Sequence, residues 1–327
     1  MKRRLALLLA LSLTFAAFPV TGVGAAEAET PAAVEQTVEE TAANTQEETE
    51  AATENEEADT AKSEEAAVEA ASTEEPAAQT EAAADVNEDA LLVKHAMLGD
   101  MECVMAIICD GMGGLDMGEL ASSEVIRTFE RWFTENVSGI LGTSNLVAIQ
   151  STWVNMLKSV NGRMMEYSYR KCLEIGTTFT GLLIIGRELM AVHVGDSRIY
   201  HIEENINQLT EDHTFVAREV KRGNMTPEEA ETDMRRNLLL QCVGASADIT
   251  PQIIRGQIMP GTYMLCSDGF RHEISPEEML DAFSPAPGRG KKAMQFQGEQ
   301  MVKLAKDRGE SDNISIILIG QRSGKRR

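Results

Sequence analysis

The sequence predicts an α+β fold in which antiparallel β-sheet is flanked by helices. From residue 90 onward, apolar runs of strand length recur between Gly, Asp and Asn residues, which is the pattern of buried strands. Longer stretches between these runs repeat apolar residues every three or four positions, which is the pattern of helices. Two strand-like runs meet at Gly186, and such a hairpin favours antiparallel pairing over alternating βαβ units.

Residues 1–25 have the composition of a secretion signal. The start MKRR is basic, the run LALLLALSLTFAAF is apolar, and the small residues Val23 and Ala25 suit a cleavage point. Pro19 and Gly22 interrupt the run, which is short for a membrane-spanning helix. We therefore predict a signal peptide or membrane anchor. This implies an exported or membrane-attached protein that contacts the membrane only through this segment.

Residues 26–85 are predicted to form a disordered, Ala/Glu-rich linker. They contain 19 acidic residues and one Lys, and they have too few large apolar side chains to offset the entropy of ordering. A specific acidic interaction tail is the alternative. Most of the net charge of −22 lies here, because residues 86–327 carry 26 basic and 33 acidic groups. No basic stripe is present, which excludes a nucleic-acid binder, and residues 321–327 are only a short basic tail.

Residues 86–320 are predicted to form one folded domain. Its strands are expected at 90–93, 103–109, 179–185, 189–194, 263–266 and 314–319. Two long helices are expected at 118–133 and 144–170. Two further helices should begin at Thr226-Pro227 and Ser275-Pro276, where a capping hydroxyl precedes Pro at the first helical position.

Five cysteines stand at positions 103, 109, 172, 242 and 266, without the paired spacing of a metal site. An odd number of cysteines, mostly in or beside apolar runs, predicts buried free thiols. Free thiols are typical of a reducing compartment, so a cytoplasmic location is the alternative to export.

Acidic residues mark the ends of several predicted strands. Asp110, Asp196 and Asp268 each follow an apolar run beside a Gly, and Asp312 precedes the last run. Each alone is an ordinary turn residue. Together they could meet at one end of a sheet, where like charges raise each other's pKa unless cations neutralise them. Oxygen ligands favour Mg²⁺ or Mn²⁺, and two such ions can activate water for attack on a phosphate ester.

Eight motifs then occur in a recognisable order. They are NEDA, ICDGMGGLDMGELAS, GTTFTGLLI, VHVGDSRIY, LTEDHT, RRNLLLQCVGAS, MLCSDGF and SDNISIILI. The ordered set resembles the metal-dependent protein Ser/Thr phosphatases of the type 2C family, in their bacterial form, over residues 86–320. The resemblance implies a sandwich of two antiparallel β-sheets with helices on both outer faces. It places a dinuclear Mn²⁺ or Mg²⁺ site in a cleft at one end of the sandwich.

By this resemblance, Asp110 bridges two ions and the carbonyl group of Gly111 binds one of them. Asp268 and Asp312 bind the other ion. The implied reaction is hydrolysis of phosphoserine and phosphothreonine in proteins by a metal-bridging hydroxide. The expected partners are phosphorylated proteins, in particular the substrates of Ser/Thr kinases.

The resemblance implies further roles around this pair of ions. Glu88 and Asp89 hold metal-bound waters, and Asp196 forms a looser third metal site with Asp268. Residues 214–236 form a flap beside the cleft that influences the choice of substrate.

The sequence departs from the family in the segment before Glu88. Family members have a first strand there and an Arg four residues before the Glu, which grips the substrate phosphate. Here that position is Ala84, and the expected strand is replaced by EEPAAQTEAAA. The candidates to replace the missing contact with the substrate phosphate are Arg127, Arg198, Arg218 and Arg222. We expect weakened rather than absent activity, because the metal ligands remain.

Two other hypotheses follow from the loss of this Arg and from the N-terminal segments. One is a non-catalytic phosphoprotein-binding or scaffold protein, a pseudophosphatase. The other is an exported, surface-tethered protein whose phosphatase domain has acquired a new use.

Two positions near the cleft need an interpretation. Some family members carry a His, which can protonate the leaving group, where this chain has Met112, so a metal-bound water is expected to serve instead. His213 is interpreted as a structural residue near a helix start rather than a general acid, with Asp212 as the N-cap of that helix.

Overall fold

A computed structural model describes residues 8–13, 87–112, 117–143, 145–285 and 290–321. The predicted acidic linker, Ala84 and the tail beyond residue 321 lie outside these ranges. The predicted boundaries of the linker and of the tail therefore remain predictions.

The described residues form ten strands and seven helices. The strands are β1 (Leu8–Leu13), β2 (Ala90–Leu98), β3 (Met101–Cys109), β4 (Phe179–Ile185), β5 (Glu188–Val194), β6 (Arg198–Ile202), β7 (Ile206–Gln208), β8 (Gln252–Gln257), β9 (Gly261–Cys266) and β10 (Ile314–Gln321). The helices are α1 (Gly118–Thr143), α2 (Leu146–Lys171), α3 (Phe215–Lys221), α4 (Pro227–Thr232), α5 (Asp268–Glu273), α6 (Pro276–Phe283) and α7 (Lys291–Asp307).

The strands form two five-stranded antiparallel sheets. One has the order β2-β3-β4-β5-β8 and the other the order β1-β10-β9-β6-β7. An apolar layer between the sheets joins Val104, Ile108 and Leu182 of the first to Leu265 and Ile317 of the second. The predicted α+β sandwich is therefore confirmed.

Helices cover both outer faces of the sandwich. The first face packs on α1 and α2, whose buried side chains include Phe129 and Trp153, in edge-to-face contact with ring centroids 5.1 Å apart. The second face packs on α5, α6 and α7 through residues such as Phe270, Phe283 and Val302. These five helices each bury an apolar face in the core.

Both predicted Pro-containing helix starts are confirmed. Thr226 and Ser275 accept hydrogen bonds from the backbone N–H groups of Glu229 and Glu278, and each Glu bonds back to complete a capping box. The prediction of Asp212 as the N-cap of α3 was wrong. Thr214 caps that helix through its side chain, whereas Asp212 is held two residues upstream by an ion pair with Arg198.

The edge of the second sheet departs from the expectation of a missing first strand. Leu8–Leu13 pair with β10 in antiparallel register, so an edge strand is present there. It comes from the segment predicted as the apolar part of a signal, not from the residues just before Glu88. Any extended apolar run can add to an exposed sheet edge, because pairing uses backbone groups alone. Among the described residues, no helix is both long and apolar enough to cross a membrane.

The cysteines largely follow the prediction. All five are free, and Cys103, Cys109, Cys242 and Cys266 are buried. Cys172 is exposed, and it ends α2 in a left-handed conformation with φ of 53°.

Candidate metal centre

The ends of four strands bring the predicted carboxylates together. In the β2–β3 ladder Ala90 pairs with Cys109, so Asp89 and Asp110 stand opposite each other just beyond it. In the β6–β9 ladder Arg198 pairs with Cys266, so Asp196 and Asp268 lie at matching positions beyond that end. The antiparallel register therefore assembles carboxylates that are far apart in the chain.

Asp110 is fixed through its backbone. Its N–H donates to Thr178 Oγ1 at 3.0 Å. Its carbonyl oxygen accepts from the Thr178 N–H at 2.8 Å and from Thr177 Oγ1 at 2.9 Å. These bonds satisfy the main chain where the strand ends, and the side chain remains available for a ligand.

Glu88 and Asp89 are tied to three other segments. The Glu88 N–H donates to Asn313 Oδ1 at 2.8 Å, and its carbonyl oxygen accepts from Ser122 Oγ at 2.7 Å. The buried carboxylate of Asp89 accepts from Ser267 Oγ at 3.0 Å. The NED segment is therefore packed into the carboxylate cluster of the folded domain.

Two glycines allow the close approach of these segments. A Cβ on Gly111 would lie 2.6 Å from the carbonyl oxygen of Glu88, and a Cβ on Gly269 would lie 2.5 Å from that of Asn313. A backbone oxygen cannot move aside as a flexible side chain does, so only Gly fits at both positions. Gly111 and Gly269 each directly follow a predicted ligand.

The electrostatics of the cluster favour bound cations. Burial raises the pKa of Asp110 well above its usual value, and Asp89, Asp268, Asp196 and Asp312 raise it further. Burial likewise raises the pKa of Asp89 to about 7, although hydrogen bonds from Ser315 and Ser267 oppose the shift. Folding thus brings together carboxylates that resist ionisation near neutral pH unless positive charge is supplied.

The pKa values of the two outer carboxylates shift in the same direction. Partial burial and the charge of Asp268 raise the pKa of Asp312. Burial, Asp312 and Glu119 raise the pKa of Glu88. Neighbouring negative charges therefore raise the pKa of Glu88 and Asp312 as well as those of Asp89, Asp110 and Asp196.

The chemistry of the donor set fits a hard divalent cation, since the cluster offers only oxygen ligands. Within the described ranges, no three His, Cys, Asp or Glu side chains already have the geometry of ligands around one ion. The carboxylates therefore interact electrostatically, but their side chains do not converge as ligands around a single ion.

Asp196 has a partner that the sequence did not predict. Arg271 Nη2 donates to Asp196 Oδ2 at 2.8 Å, and the two side chains keep only 11% and 6% of their exposure. Burial raises the pKa of Asp196 to about 7, and Arg271 opposes that shift. The carboxylate expected to hold a third ion is thus already paired with a cation of the chain itself.

Three of the four candidate replacement arginines pair with other residues. Arg198 bonds to both carboxylate oxygens of Asp212 and to the hydroxyl of Tyr200. Arg218 and Arg222 both pair with Glu219 in the flap. Arg127 is exposed on α1. No described contact joins any of these four arginines to Glu88, Asp110, Asp268 or Asp312.

His213 is structural, as predicted. Its Nδ1 accepts from the Gly195 N–H at 3.1 Å and lies 2.9 Å from Gln241 Nε2. Its ring stacks on the buried His193, with centroids 4.9 Å apart. The residue therefore supports the turn that carries Asp196.

The sequence prediction missed two residues near Asp268, namely Arg271 and His272. His272 Nε2 lies 4.0 Å from Asp268 Oδ2, and His272 Nδ1 lies 3.7 Å from Glu310 Oε2. Arg271 is three residues after Asp268 on the same short helix. The stretch SDGFRHE could have indicated both residues, because positions three and four apart share a helix face.

An open cleft of about 1060 Å³ is lined by Arg198, Asp212 and Arg271, among other residues. The flap helices α3 and α4 form one wall, and Arg271, His272 and the start of α6 form the other. Part of the predicted flap at residues 214–236 therefore lines a cleft, but Glu88, Asp110, Asp268 and Asp312 do not line it, so a flap beside the metal ligands remains a prediction.

Comparison with known proteins gives a consistent result. Residues 78–304 match the family model described as protein phosphatase 2C. The protein phosphatase PhpP of Streptococcus pneumoniae is 31% identical over 219 residues, which cover 66% of this chain and 85% of PhpP.

Two solved structures extend the comparison to the fold. The Ser/Thr phosphatase Stp1 of Staphylococcus aureus aligns with a TM-score of 0.62 and 26% identity, over 73% of this chain and 91% of that chain. The catalytic domain of PstP, solved with two manganese ions, aligns with a TM-score of 0.57 and 27% identity, over 73% and 93% of the two chains.

Proposed function

Because the chain belongs to the protein phosphatase 2C family and is thus a protein Ser/Thr phosphatase, we propose that its carboxylate cluster holds two Mn²⁺ or Mg²⁺ ions for hydrolysis of phosphoserine and phosphothreonine. The proposed ligands are Asp110, the Gly111 carbonyl, Asp268 and Asp312. Glu88 and Asp89 orient water around them.

The observation that carries this proposal is the convergence of carboxylates from separate strand ends at one end of the sandwich, where burial and neighbouring carboxylates raise the pKa of Asp110 and of Asp89. Such an arrangement is costly for folding unless cations are bound, so its presence points to a metal site. The structurally similar PstP domain with two manganese ions supports the same number of ions here.

Different residues of the chain have different roles in the proposed reaction. Bound divalent ions supply Lewis-acid chemistry, which lowers the pKa of a water nucleophile and polarises phosphoryl oxygens. Asp110 and Asp268 provide the negative charge that retains these ions. Glu88 and Asp89, fixed by Asn313 and Ser267, accept hydrogen bonds from water and set its orientation. Met112 has no proton to donate, so water protonates the departing Ser or Thr oxygen.

The test is turnover of an aryl phosphate and of a phosphothreonine peptide, with and without Mn²⁺. Asp110→Asn and Asp268→Asn are each expected to lower kcat at least 100-fold, because each removes a charged ligand. Asp281→Asn on α6 is the matched control, since this exposed Asp lies outside the cluster. Equal rates for all four proteins would refute the metal mechanism.

We also propose that the enzyme works below the capacity of its metal site, because Ala84 replaces the phosphate-gripping Arg. A charge-assisted hydrogen bond contributes about 1.5–3 kcal/mol, which corresponds to roughly a 10- to 100-fold change in phosphate affinity. Ala84→Arg should therefore lower KM for the peptide, whereas Ala84→Gln should not. Equal KM values for all three proteins would show that this contact is not limiting.

The alternative is a non-catalytic phosphoprotein-binding protein, favoured by the loss of that Arg. Calorimetry with a phosphopeptide separates the two functions. A pseudophosphatase binds the peptide but releases no phosphate at any concentration of Mn²⁺, whereas the proposed enzyme does release it.

Location remains a prediction with two alternatives. Leu8–Leu13 cannot belong both to a cleaved signal and to the edge of the mature domain's sheet. Export with cleavage after Ala25 removes β1, and an uncleaved anchor places residues 8–13 in the membrane, whereas a cytoplasmic protein keeps them in the sheet. N-terminal sequencing of the native protein from separated cell fractions distinguishes the two cases.

A further inference from the structure

Arg271 occupies a particular position in the cluster. Asp268 begins α5, and Arg271 follows one helical turn later on the same face. Asp196 lies across the end of the β6–β9 ladder from Asp268. The guanidinium group therefore reaches Asp196 from the same helix that carries a proposed metal ligand.

The contact is a buried ion pair and not a surface contact. Arg271 and Asp196 keep only 11% and 6% of their side-chain exposure, and the N–O distance is 2.8 Å. Asp196 also faces the negative charges of Asp268 and Asp212. Arg198, the other nearby cation, is bound to Asp212 by both carboxylate oxygens. Arg271 is thus the described cation that directly contacts Asp196.

A third divalent ion at Asp196 would have to approach a permanent positive charge. Arg does not lose its proton in proteins. Arg271 therefore keeps its positive charge and cannot free Asp196 for a metal ion by becoming neutral. Losing one partner of a buried pair also leaves an uncompensated charge in the interior. The residues present therefore do not fit the third metal site that the family resemblance implies.

We propose that Arg271 takes the place of the third metal ion, so that this phosphatase holds two divalent ions and Asp196 anchors Arg271 instead of binding metal. The inference rests on the proposed two-ion site at Asp110, Asp268 and Asp312. It assigns Arg271 a positioning role, because its charge holds Asp196 and the adjoining turn next to Asp268.

The test is the number of Mn²⁺ ions bound per chain. The probe is Mn²⁺ alone, and bound and free metal are measured by equilibrium dialysis followed by elemental analysis. The wild type should bind two ions, and Asp196→Asn should still bind two. Arg271→Met should bind a third, weaker ion, which the double variant with Asp196→Asn should lose again. Arg271→Lys keeps the charge and should stay at two.

Three results would overturn the proposal. They are three ions on the wild type, loss of an ion from the wild type on Asp196→Asn, or a count of two for a folded Arg271→Met protein. If Arg271→Met does not fold, the wild type and Asp196→Asn counts decide alone. Failure of the proposed function looks different, because it appears as no Mn²⁺ binding or as two bound ions without phosphate release.

Discussion

Replacement of Asp89 by Asn should stabilise the metal-free protein while it impairs the enzyme. Asp89 is 8% exposed, and burial is the main cause of its raised pKa. A carboxyl whose pKa is raised by folding favours the folded state when protonated. That contribution is complete below the unfolded pKa and is lost as the pH rises through the folded pKa. Asn has the same shape but does not ionise.

The magnitude follows from the shift, which runs from 3.8 to about 7. Each pKa unit corresponds to about 1.4 kcal/mol, so ionising Asp89 in the folded, metal-free protein costs about 4 kcal/mol near pH 8. At pH 5 the cost falls to about 2 kcal/mol, because Asp89 remains mostly protonated in the folded state. The advantage of Asn over Asp should therefore shrink by roughly half on acidification.

The assay is urea unfolding in EDTA at pH 8 and at pH 5, followed by circular dichroism. Asp89→Asn should gain stability at both pH values, more at pH 8, whereas the exposed control Asp281→Asn should change little. Added Mn²⁺ should reverse the order, because the wild type binds metal better. The linkage argument fails if Asp89→Asn is the less stable protein at pH 8 in EDTA, or if its advantage is unchanged at pH 5.

Two further changes test the architecture. Gly269→Ala should destabilise the fold by about 1–3 kcal/mol through overpacking and lower kcat, because the new Cβ would lie 2.5 Å from the Asn313 carbonyl oxygen. Gly256→Ala is the control, because a Cβ there has no atom within 4 Å. Equal Tm values for the two variants would contradict the close approach at Gly269. Deletion of residues 1–16 should lower Tm by several degrees and promote self-association, measured by size-exclusion chromatography, because it exposes the edge of β10. An unchanged Tm would mean that β1 does not stabilise the sheet.

Much of the fold could be predicted because its signals are local. The apolar runs that became β3, β4, β5 and β10 are buried on both faces and read as continuous apolar segments. The starts of α4 and α6 depend on four adjacent residues and were also predicted. Strands β6, β7 and β8 were not assigned. They are short or partly exposed, so alternating polar residues weaken the pattern.

The sequence by itself determined which residues are candidates for the chemistry, because Asp and Gly at strand ends keep their chemical character wherever the chain places them. Only the tertiary structure decided their partners. Arg271 and Asp196 are 75 residues apart, and their ion pair depends on the register of β6 against β9. The edge strand Leu8–Leu13 likewise depends on a free edge at β10, about 300 positions away. A hairpin such as β4–β5 is encoded by a local turn, whereas the pairing of strands far apart in the chain depends on the packing of the whole domain.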